Sequence, residues 1–337
     1  RIGHFWLADD HLPPRAGSSE FDRNLEQGFW SLTWLAQALS EAGLDKPLHL
    51  SVFSAGAAQV RDEPVPHPEE ALIAGPVGVF AREMPDVTCA QIDLEPVAAQ
   101  VSPSKGWFSK PVEPTPDATL TDRLLEELMA QPANTIAALR GDKRFEQSYR
   151  DIKLPAAQAP AFRDDATYLI TGGFGGIGLT LAADILGQHK AHVVLLSRDA
   201  MPDRQAWDGY LKTHATTDRT ARRMHAVMRL EELAKPLGGS IEVAQGDVAN
   251  LAQMRRVTQD LTTRHGGLTG VIHAAGTLDD APLLAKSDAG IDAVLSPKVQ
   301  GLRVLDQLLP DGTLELMVLF SSTSTATRSA GQTDYVA

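Results

Sequence analysis

The chain has 337 residues, of which 43% are hydrophobic, and this is enough for two domains with cores of their own. Its formal net charge of -12 argues against a nucleic-acid partner or an anionic membrane, because there is no general basic surface to neutralise phosphates. The single cysteine, Cys89, excludes an intramolecular disulfide framework and is expected in the core. No run of about 18 apolar residues occurs, and the first residues do not resemble a signal peptide, so we expect a cytoplasmic globular protein.

Residues 1–150 alternate between helical and extended patterns, which predicts a small α/β layer. Neither a glycine fingerprint nor a cluster of catalytic side chains occurs there, so we expect this half to be structural. Pro, Ser and Gly are frequent in residues 96–116, which predicts a loop, and residues 155–161 have the composition of a linker. The expected helices are 21–44, 68–80 and 121–131, and the expected strands begin at Leu48, Val87 and Thr135.

Four residues near the start could be imagined as metal ligands. No second ligand pair with matching spacing accompanies them, so a polar loop is favoured and no metal site is predicted. The four are His4, Asp9, Asp10 and His11.

The second half opens with an apolar run, Tyr168–Thr171, that breaks into glycines. Gly173, Gly175 and Gly178 form the pattern G-x-G-x-x-G, in which glycine tolerates a tight turn and lets backbone N–H groups approach a pyrophosphate. The pattern alone fits an ordinary Gly-rich turn equally well. A strand before it and a helix start after it favour a dinucleotide site, with the phosphates at the helix N-terminus.

The next predicted strand, residues 191–198, ends on Ser197 and Arg198. An NAD site places Asp or Glu here, about 20 residues after the first fingerprint glycine, to hold the ribose hydroxyls. An arginine can instead hold a 2′-phosphate, which predicts NADPH. Asp199 would oppose that phosphate if it turned inward, and a solvated Arg198 is the alternative.

A long polar insertion, residues 201–238, contains a predicted amphipathic helix with several arginines. Such a charge run is usually a solvated face, and the alternative is a docking surface for an acidic partner. The arginines are Arg219, Arg222, Arg223 and Arg229.

Three further strands are predicted, and their ends carry residues suited to a ligand. Asp247 could accept a hydrogen bond from an adenine amino group while Val248 covers the ring. The small residues Ala274–Gly276 would let a ribose and a nicotinamide lie against the backbone, and His273 is expected in the core. Because the carboxyl ends of parallel strands meet at one edge, these residues should line one crevice. The strands are 241–248, 271–276 and 316–322.

Tyr335 lies 13 residues after Ser322, which ends the last of these predicted strands. A carbonyl reduced by hydride gains negative charge on its oxygen, so a tyrosine can donate the proton while a serine polarises the same oxygen. Lys298 is a candidate cation that would favour the ionised tyrosine. The alternative for the Ser/Thr-rich residues 321–329 is a flexible linker, which the buried strand leading into them disfavours.

With these motifs together, the chain resembles a ketoreductase domain of a modular type I polyketide synthase, a branch of the short-chain dehydrogenase/reductase family. The resemblance covers essentially the whole chain and implies an α/β fold with two Rossmann-like subdomains. Residues 1–150 would form the truncated structural subdomain, in which residues 71–85 look like the family's characteristic helix. A linker, 151–164, would join it to the catalytic, doubly wound parallel-sheet subdomain, 165–337.

The resemblance also assigns roles to individual residues. Ser322 and Tyr335 match the catalytic pair, and Lys298 matches the lysine that this family carries upstream in a Pro-Lys-Val segment. Leu278, Asp279 and Asp280 resemble the segment that guides the phosphopantetheine arm into the groove. The expected cofactor-binding residues are Thr171, Gly173, Phe174, Gly175, Gly176, Ile177, Gly178, Ser197, Arg198, Asp247, Val248, Ala274, Ala275 and Gly276.

The Leu-Asp-Asp segment resembles the signature of B-type ketoreductases, which yield the D-hydroxy (usually 3R) product. The tryptophan that marks the A type is here Thr327, and the proline common in the B type is here Ala330. A solvated pair of loop acids is the alternative for Asp279 and Asp280. The chain starts without Met, and the asparagine expected four residues after the tyrosine would fall beyond Ala337, so we interpret the chain as an excerpt with a C-terminally incomplete catalytic subdomain.

The function implied is NADPH-dependent reduction of a β-ketoacyl chain tethered to the phosphopantetheine of an acyl carrier protein. Other domains of the same synthase are the further expected partners. One alternative is a non-catalytic scaffold that keeps the fold, which the presence of all three catalytic residues disfavours. A second is a free-standing reductase of small alcohols, disfavoured by a first half that has no site of its own.

Overall fold

The computed structural model describes residues 1–8, 19–43, 46–96 and 118–337. Asp9, Asp10 and His11, and nearly all of the predicted loop 96–116, lie outside the described residues. The chain divides into two compact units. The first contains residues 1–152, 279–287 and 322–337, and the second contains residues 153–278 and 288–321.

The described part of the first unit is built on a five-stranded sheet with the order β1-β2-β3-β4-β5. The first four strands are parallel, and β5 pairs antiparallel with β4. The strands are β1 (Ile2–Leu7), β2 (Leu48–Ala55), β3 (Val87–Leu94), β4 (Thr135–Arg140) and β5 (Lys143–Glu146). The helices are α1 (Glu20–Leu25), α2 (Ser31–Glu41), α3 (Ala74–Glu83) and α4 (Ala118–Met129).

Helices cover both faces of this sheet because successive strand side chains point to opposite sides. On one face, Val52 and Cys89 pack with residues of α2 and α3, and on the other, Phe53 and Ile92 pack with residues of α4. Cys89 is 3% exposed, and burial raises the pKa of its thiol to about 12. The cysteine therefore belongs to the core, as predicted.

The second unit contains a five-stranded, fully parallel sheet with the order β10-β9-β6-β7-β8. The chain moves outward from β6 to β8 and then returns to the other side of β6, so the strand order reverses between β6 and β9. This is the order of a doubly wound dinucleotide-binding fold. The strands are β6 (Thr167–Thr171), β7 (His192–Ser197), β8 (Ser240–Gln245), β9 (Gly270–His273) and β10 (Leu316–Leu319).

Alternate residues of the central strands enter two separate cores. Tyr168 and Leu195 face the side covered by α5 and α7, whereas Leu169 and Val194 face the side covered by α8 and α10. Both faces being buried explains why these strands are almost continuously apolar. The helices are α5 (Gly176–Gln188), α6 (Trp207–Thr213), α7 (Arg219–Ala234), α8 (Leu251–His265), α9 (Asp288–Leu295) and α10 (Gly301–Leu308).

Two short helices of the first unit end the chain, α11 (Ser324–Thr327) and α12 (Thr333–Val336). They pack against each other, and α12 also packs on α3. The contact with α3 is close, since a Cβ added to Gly75 would lie 2.0 Å from the carbonyl oxygen of Thr333.

The α/β fold with two Rossmann-like parts is therefore confirmed, with some local differences. The sequence patterns did not predict β1 or β5, and the first predicted helix is broken by a π-helical turn at Glu26–Trp30. The predicted boundaries of the structural subdomain, the linker and the catalytic subdomain, at residues 150 and 165, stay a prediction. Within the described ranges, none of the helices has both the length and the apolar character that a bilayer crossing demands.

Candidate functional site

The second unit holds a cavity of about 1670 Å³ along the carboxyl ends of its strands. Its lining comes mainly from the segments that follow β6, β7, β8 and β9 and from α7, with α9 and the turn after it closing one side. It therefore lies where the strand order reverses, which is the position at which open parallel sheets bind their ligands.

The glycine turn after β6 is shaped by two close backbone approaches. Gly172 has a φ of +64°, and a Cβ there would lie 2.6 Å from the carbonyl oxygen of Ala274. A Cβ on Gly178 would lie 2.9 Å from the Gly172 carbonyl oxygen, so α5 sits directly on the turn. Sequence reasoning assigned the fingerprint glycines but missed Gly172, although its place directly after the strand was a usable signal.

The start of α5 faces the same cavity and is open. Gly175 precedes the helix without a side-chain cap, and Gly175, Gly176 and Ile177 are exposed. A Cβ on Gly176 would meet nothing within 4 Å. The first N–H groups of a helix have no intrahelical partners, and the helix dipole favours an anion there. The donors and the space at this turn therefore fit the pyrophosphate of a dinucleotide.

Thr171 joins the end of β6 to the end of β9. Its hydroxyl hydrogen-bonds the Nδ1 of His273 at 2.7 Å and accepts from the N–H of Ala275 at 3.2 Å. Burial, with the Lys298 charge as a smaller contribution, lowers the pKa of His273 to about 4, so the ring is neutral. His273 is thus a core residue that helps to fix the small residues Ala274–Gly276 beside the cavity.

The predicted phosphate-selecting pair is placed at the cavity wall. Ser197 ends β7 and donates from its hydroxyl to the carbonyl oxygen of Asp199 at 2.9 Å, and Arg198 lies between them. The Asp199 carboxylate pairs with Arg223 at 2.9 Å and with Arg219 at 3.3 Å. The acidic residue that would oppose a phosphate is therefore neutralised by cations of α7.

The arginines of the insertion helix face the cavity, which neither sequence interpretation anticipated. Arg219, Arg222, Arg223 and Arg229 all line it, and the guanidinium of Arg223 lies 5.1 Å from the centre of the Phe174 ring. The available signal was the four-residue spacing of Arg219 and Arg223, which places them on one helix face.

Asp247 and Val248 follow β8 and also line the cavity. One carboxylate oxygen of Asp247 accepts from the N–H of Ala249 at 2.9 Å, and its own N–H donates to the side chain of Gln253 at 2.8 Å. Val248 is 4% exposed and belongs to the core beneath α8 and α10. The loop after β8 is thus held rigidly at the cavity edge.

Lys298 lies in a π-helical turn, Ser296–Gln300, of the second unit. Its Nζ donates to the carbonyl oxygen of Phe320 at 3.4 Å. A Cβ on Gly276 would lie 3.4 Å from its Cε, so the side chain crosses the small-residue segment after β9. An ammonium group therefore stands beside the carboxyl ends of β9 and β10.

Ser322 and Tyr335 belong to the first unit, whereas Lys298 belongs to the second, so each is described within its own unit. The Ser322 hydroxyl accepts from the N–H of Ser324 at 3.1 Å, at the start of α11. Tyr335 lies on α12 and is half-buried. The catalytic grouping of these three side chains stays a prediction.

The Leu-Asp-Asp segment is exposed along its length, with Leu278 in the second unit and the two acids in the first. The carboxylate of Asp280 accepts from the side-chain amide of Gln332 at 3.0 Å, and the carbonyl oxygen of Asp279 accepts from Lys286. The Asp280 carboxylate is therefore tied to Gln332, three residues before Tyr335, whereas Asp279 is held through its backbone carbonyl oxygen.

Comparison with known proteins gives a family for the chain. A model of the family described as KR domain matches residues 166–337. Polyketide synthase PksN of Bacillus subtilis is 30% identical over 221 residues, which is 65% of this chain and 4% of that protein. A phenolphthiocerol/phthiocerol polyketide synthase of Mycobacterium tuberculosis is 29% identical over 311 residues, which is 91% of this chain and 15% of that protein. The chain thus spans a small part of the length of these relatives.

Solved structures give the same fold. A C2-type ketoreductase from a modular polyketide synthase matches with a TM-score of 0.71 and 24% identity, over 98% of this chain and 61% of that chain. A structure of A-type ketoreductases from a modular polyketide synthase matches with a TM-score of 0.66 and 25% identity, over 94% of this chain and 57% of that chain. These similarities confirm the Rossmann-like α/β architecture.

Proposed function

The chain belongs to the KR domain family, the ketoreductases of polyketide synthases, and from this we propose that it reduces the β-keto group of an acyl chain carried by an acyl carrier protein. Ketoreductase domains of these synthases are oxidoreductases. The observation that carries the proposal is the cavity at the reversal of strand order, which faces the glycine turn, the start of α5 and the arginines of α7. A reduced nicotinamide dinucleotide bound there would supply the hydride for the β-carbon.

We propose NADPH as that dinucleotide, and the charges at the end of β7 support this choice. Asp199 is the acid nearest to Arg198 in sequence, and its carboxylate is paired with Arg219 and Arg223. Arg198 and the α7 arginines therefore leave a net positive wall at the end of β7, which suits a 2′-phosphate, and the Asp199 carboxylate is already engaged by two of these arginines.

The chain's own residues would divide the remaining work. Thr171 and the small residues Ala274–Gly276 would shape the floor on which the nicotinamide end lies. The Tyr335 hydroxyl would donate a proton to the carbonyl oxygen while the Ser322 hydroxyl donates a hydrogen bond to it. The Lys298 ammonium would favour the tyrosinate that remains after proton transfer, since opposite charges attract strongly away from bulk water.

We further propose the D-hydroxy (3R) product, from the resemblance of Leu278–Asp280 to the B-type signature. The acyl carrier protein would deliver the substrate on its phosphopantetheine arm along this segment. Neighbouring domains of the same synthase would be the other partners.

The test uses the complete natural polypeptide and a β-ketoacyl thioester, with NADPH oxidation followed by absorbance and the product configuration read by chiral chromatography. The parent should oxidise NADPH, and Tyr335→Phe should lose turnover while it still binds NADPH. A parent that binds NADPH but gives no turnover would refute the reductase and favour the non-catalytic scaffold. An L-hydroxy product would refute the B-type assignment alone.

The cofactor proposal has its own test in the ratio of NADPH to NADH affinity. Arg198→Met and Arg223→Met should each weaken NADPH binding about tenfold, because a charge-assisted hydrogen bond contributes roughly 1.5–3 kcal/mol, and should change NADH binding little. Arg303→Met removes an exposed arginine of α10, outside the cavity lining, and serves as the control. An equal loss of affinity for NADPH and NADH would show that these arginines do not bind the 2′-phosphate.

A further inference from the structure

Two separate segments of the first unit are joined by a buried ion pair. The Lys286 Nζ donates to both carboxylate oxygens of Asp334, at 2.6 and 2.8 Å, and also to the carbonyl oxygen of Asp279. The side chains of Lys286 and Asp334 are 0% and 1% exposed. Asp334 is the residue directly before Tyr335, and Asp279 belongs to the Leu-Asp-Asp segment, so this one lysine connects both.

The same two segments are also held by α3. Glu83, the last residue of that helix, accepts from the N–H of Leu283 with one carboxylate oxygen and from the N–H of Gly331 with the other, each at 2.7 Å. The N–H of Ala281 in turn donates to the carbonyl oxygen of Gly331 at 3.0 Å. Backbone groups of both segments are thus fixed by a single side chain from the N-terminal half.

A third contact comes from α2. The side-chain amide of Gln37 donates to the carbonyl oxygens of Leu283 and Lys286, both at 3.3 Å. The stretch 279–287 is therefore held from two helices and from the segment that carries Tyr335, although it has little regular structure of its own.

An ion pair at this depth is not an efficient source of stability. Desolvating two charges costs several kcal/mol, and well-packed apolar residues often serve as well or better. What a hydrogen-bonded pair adds is direction and distance, since an ammonium held by three oxygens has one arrangement whereas an apolar contact has many. The ion pair therefore fixes the distance and orientation between the segment 279–287 and the segment that contains Asp334.

Resting on the proposed reductase function, we propose that Lys286 and Asp334 are positioning residues that lock the substrate-guiding segment to the turn carrying the proton donor. The position of the substrate's path relative to the Tyr335 hydroxyl is then fixed. A carbonyl that arrives along that path presents one face to the hydride, so the pair governs the stereochemical purity of the product as well as its rate.

The decisive variant replaces the pair by apolar residues of similar size, Lys286→Met with Asp334→Leu. Removing one partner alone would leave an uncompensated buried group, whereas the double replacement is expected to fold. In the complete natural polypeptide, we expect an NADPH dissociation constant within about twofold of the parent and a kcat lower by about tenfold or more, since small misplacements of a reacting group are costly. The two epimers at the β-carbon should appear together.

A matched control removes another buried ion pair of the same unit, Arg140–Asp93, whose side chains are 2% and 4% exposed. Arg140→Met with Asp93→Asn should lower stability and leave the epimer ratio of the parent. Hydrogen exchange adds a measurement that needs no turnover. Peptides covering 279–287 and 329–337 should both exchange faster in the Lys286/Asp334 variant and not in the control.

Unchanged exchange in those peptides, or a parental kcat and epimer ratio in the double variant, would overturn the positioning role. A parent that never oxidises NADPH would instead refute the reductase function on which the role rests. Hydrogen exchange would still show whether the Lys286–Asp334 pair holds the segments 279–287 and 329–337 together.

Discussion

Replacing Gly172 by alanine should destabilise the second unit more than the same change at any other glycine of the cofactor turn. A non-glycine residue at a φ of +64° costs about 1–2 kcal/mol. The new Cβ would also lie 2.6 Å from the Ala274 carbonyl oxygen and 2.8 Å from the Ala275 Cα, and both are backbone atoms that cannot move independently. Overpacking of this kind costs about 1–3 kcal/mol.

Together these contributions amount to roughly 2–5 kcal/mol of unfolding free energy. For a domain of this size each kcal/mol shifts the melting temperature by about 2–4 °C, so Gly172→Ala should lower it by roughly 10 °C. Thermal unfolding followed by circular dichroism measures the shift, and NADPH fluorescence titration below the transition measures binding.

Two glycines of α5 give matched controls. A Cβ at Gly176 or Gly187 would meet nothing within 4 Å, and neither has a positive φ. Gly176→Ala should keep the stability but weaken NADPH binding, because the added methyl occupies the approach of the pyrophosphate. Gly187→Ala, inside the helix, should raise stability by about 0.5–1 kcal/mol and leave binding unchanged.

The reasoning fails if Gly172→Ala melts with the parent. It also fails if Gly176→Ala binds NADPH as the parent does, because the open helix start would then not be where the phosphates lie.

Three further changes test other parts of the structure. Burial lowers the pKa of His273 from 6.5 to about 4, so on acidification the unfolded state takes up a proton before the folded state does. Up to about 3 kcal/mol of stability should therefore be lost as the pH falls from 6.5 towards 4. Urea unfolding at several pH values should show that the unfolding free energy of His273→Gln depends less on pH than that of the parent. Gly75→Ala would put a Cβ 2.0 Å from the Thr333 carbonyl oxygen, so hydrogen exchange of α12 should rise, and unchanged exchange would contradict the close packing. Tyr168→Phe removes the hydroxyl that accepts from the N–H of Arg163 at 3.0 Å, and it should lower the free energy of chemical unfolding by about 1 kcal/mol. An unchanged unfolding free energy would show that water replaces this hydrogen bond.

Local patterns were sufficient for the strands of the second unit, whereas helices α6, α8, α9 and α10 were not predicted. Buried parallel strands have long apolar runs, and the turn after β6 has glycines at fixed spacing, so β6, β7 and the start of α5 could be predicted from their own residues. The edge hairpin of the first sheet could not. Its β5 strand, Lys143–Glu146, is polar and short, and its main signal was the glycine turn at Gly141, which has a φ of +56°.

The electrostatics of the site depended on contacts between elements distant in sequence. From the strand alone, the carboxylate of Asp199 would repel the phosphate that Arg198 is expected to bind. The structure pairs that carboxylate with arginines of α7, which begin about 20 residues later in the chain. Helical spacing places Arg219 and Arg223 on one face but does not say what that face meets. That information depends on how α7 packs on the sheet, which no local pattern contains.

The two sheets differ in the strand order that opens a crevice for a dinucleotide, whereas the sequence distinguished the two halves only by the glycine fingerprint. In the described part of the first sheet, successive strands follow the order β1 to β5, with no reversal to open a crevice at the strand ends. Polar side chains of the helices that cover this sheet bind other segments, since Gln37 of α2 and Glu83 of α3 hydrogen-bond the backbone of residues 279–287 and Glu83 also binds that of Gly331. Under the proposed function, the first half would therefore contribute to the reaction by holding the segment 279–287 and the stretch before Tyr335. Glu83→Gln separates this role from simple support: the amide can accept one backbone N–H but presents its NH₂ to the other, so one of the two segments should loosen while the sheet stays intact.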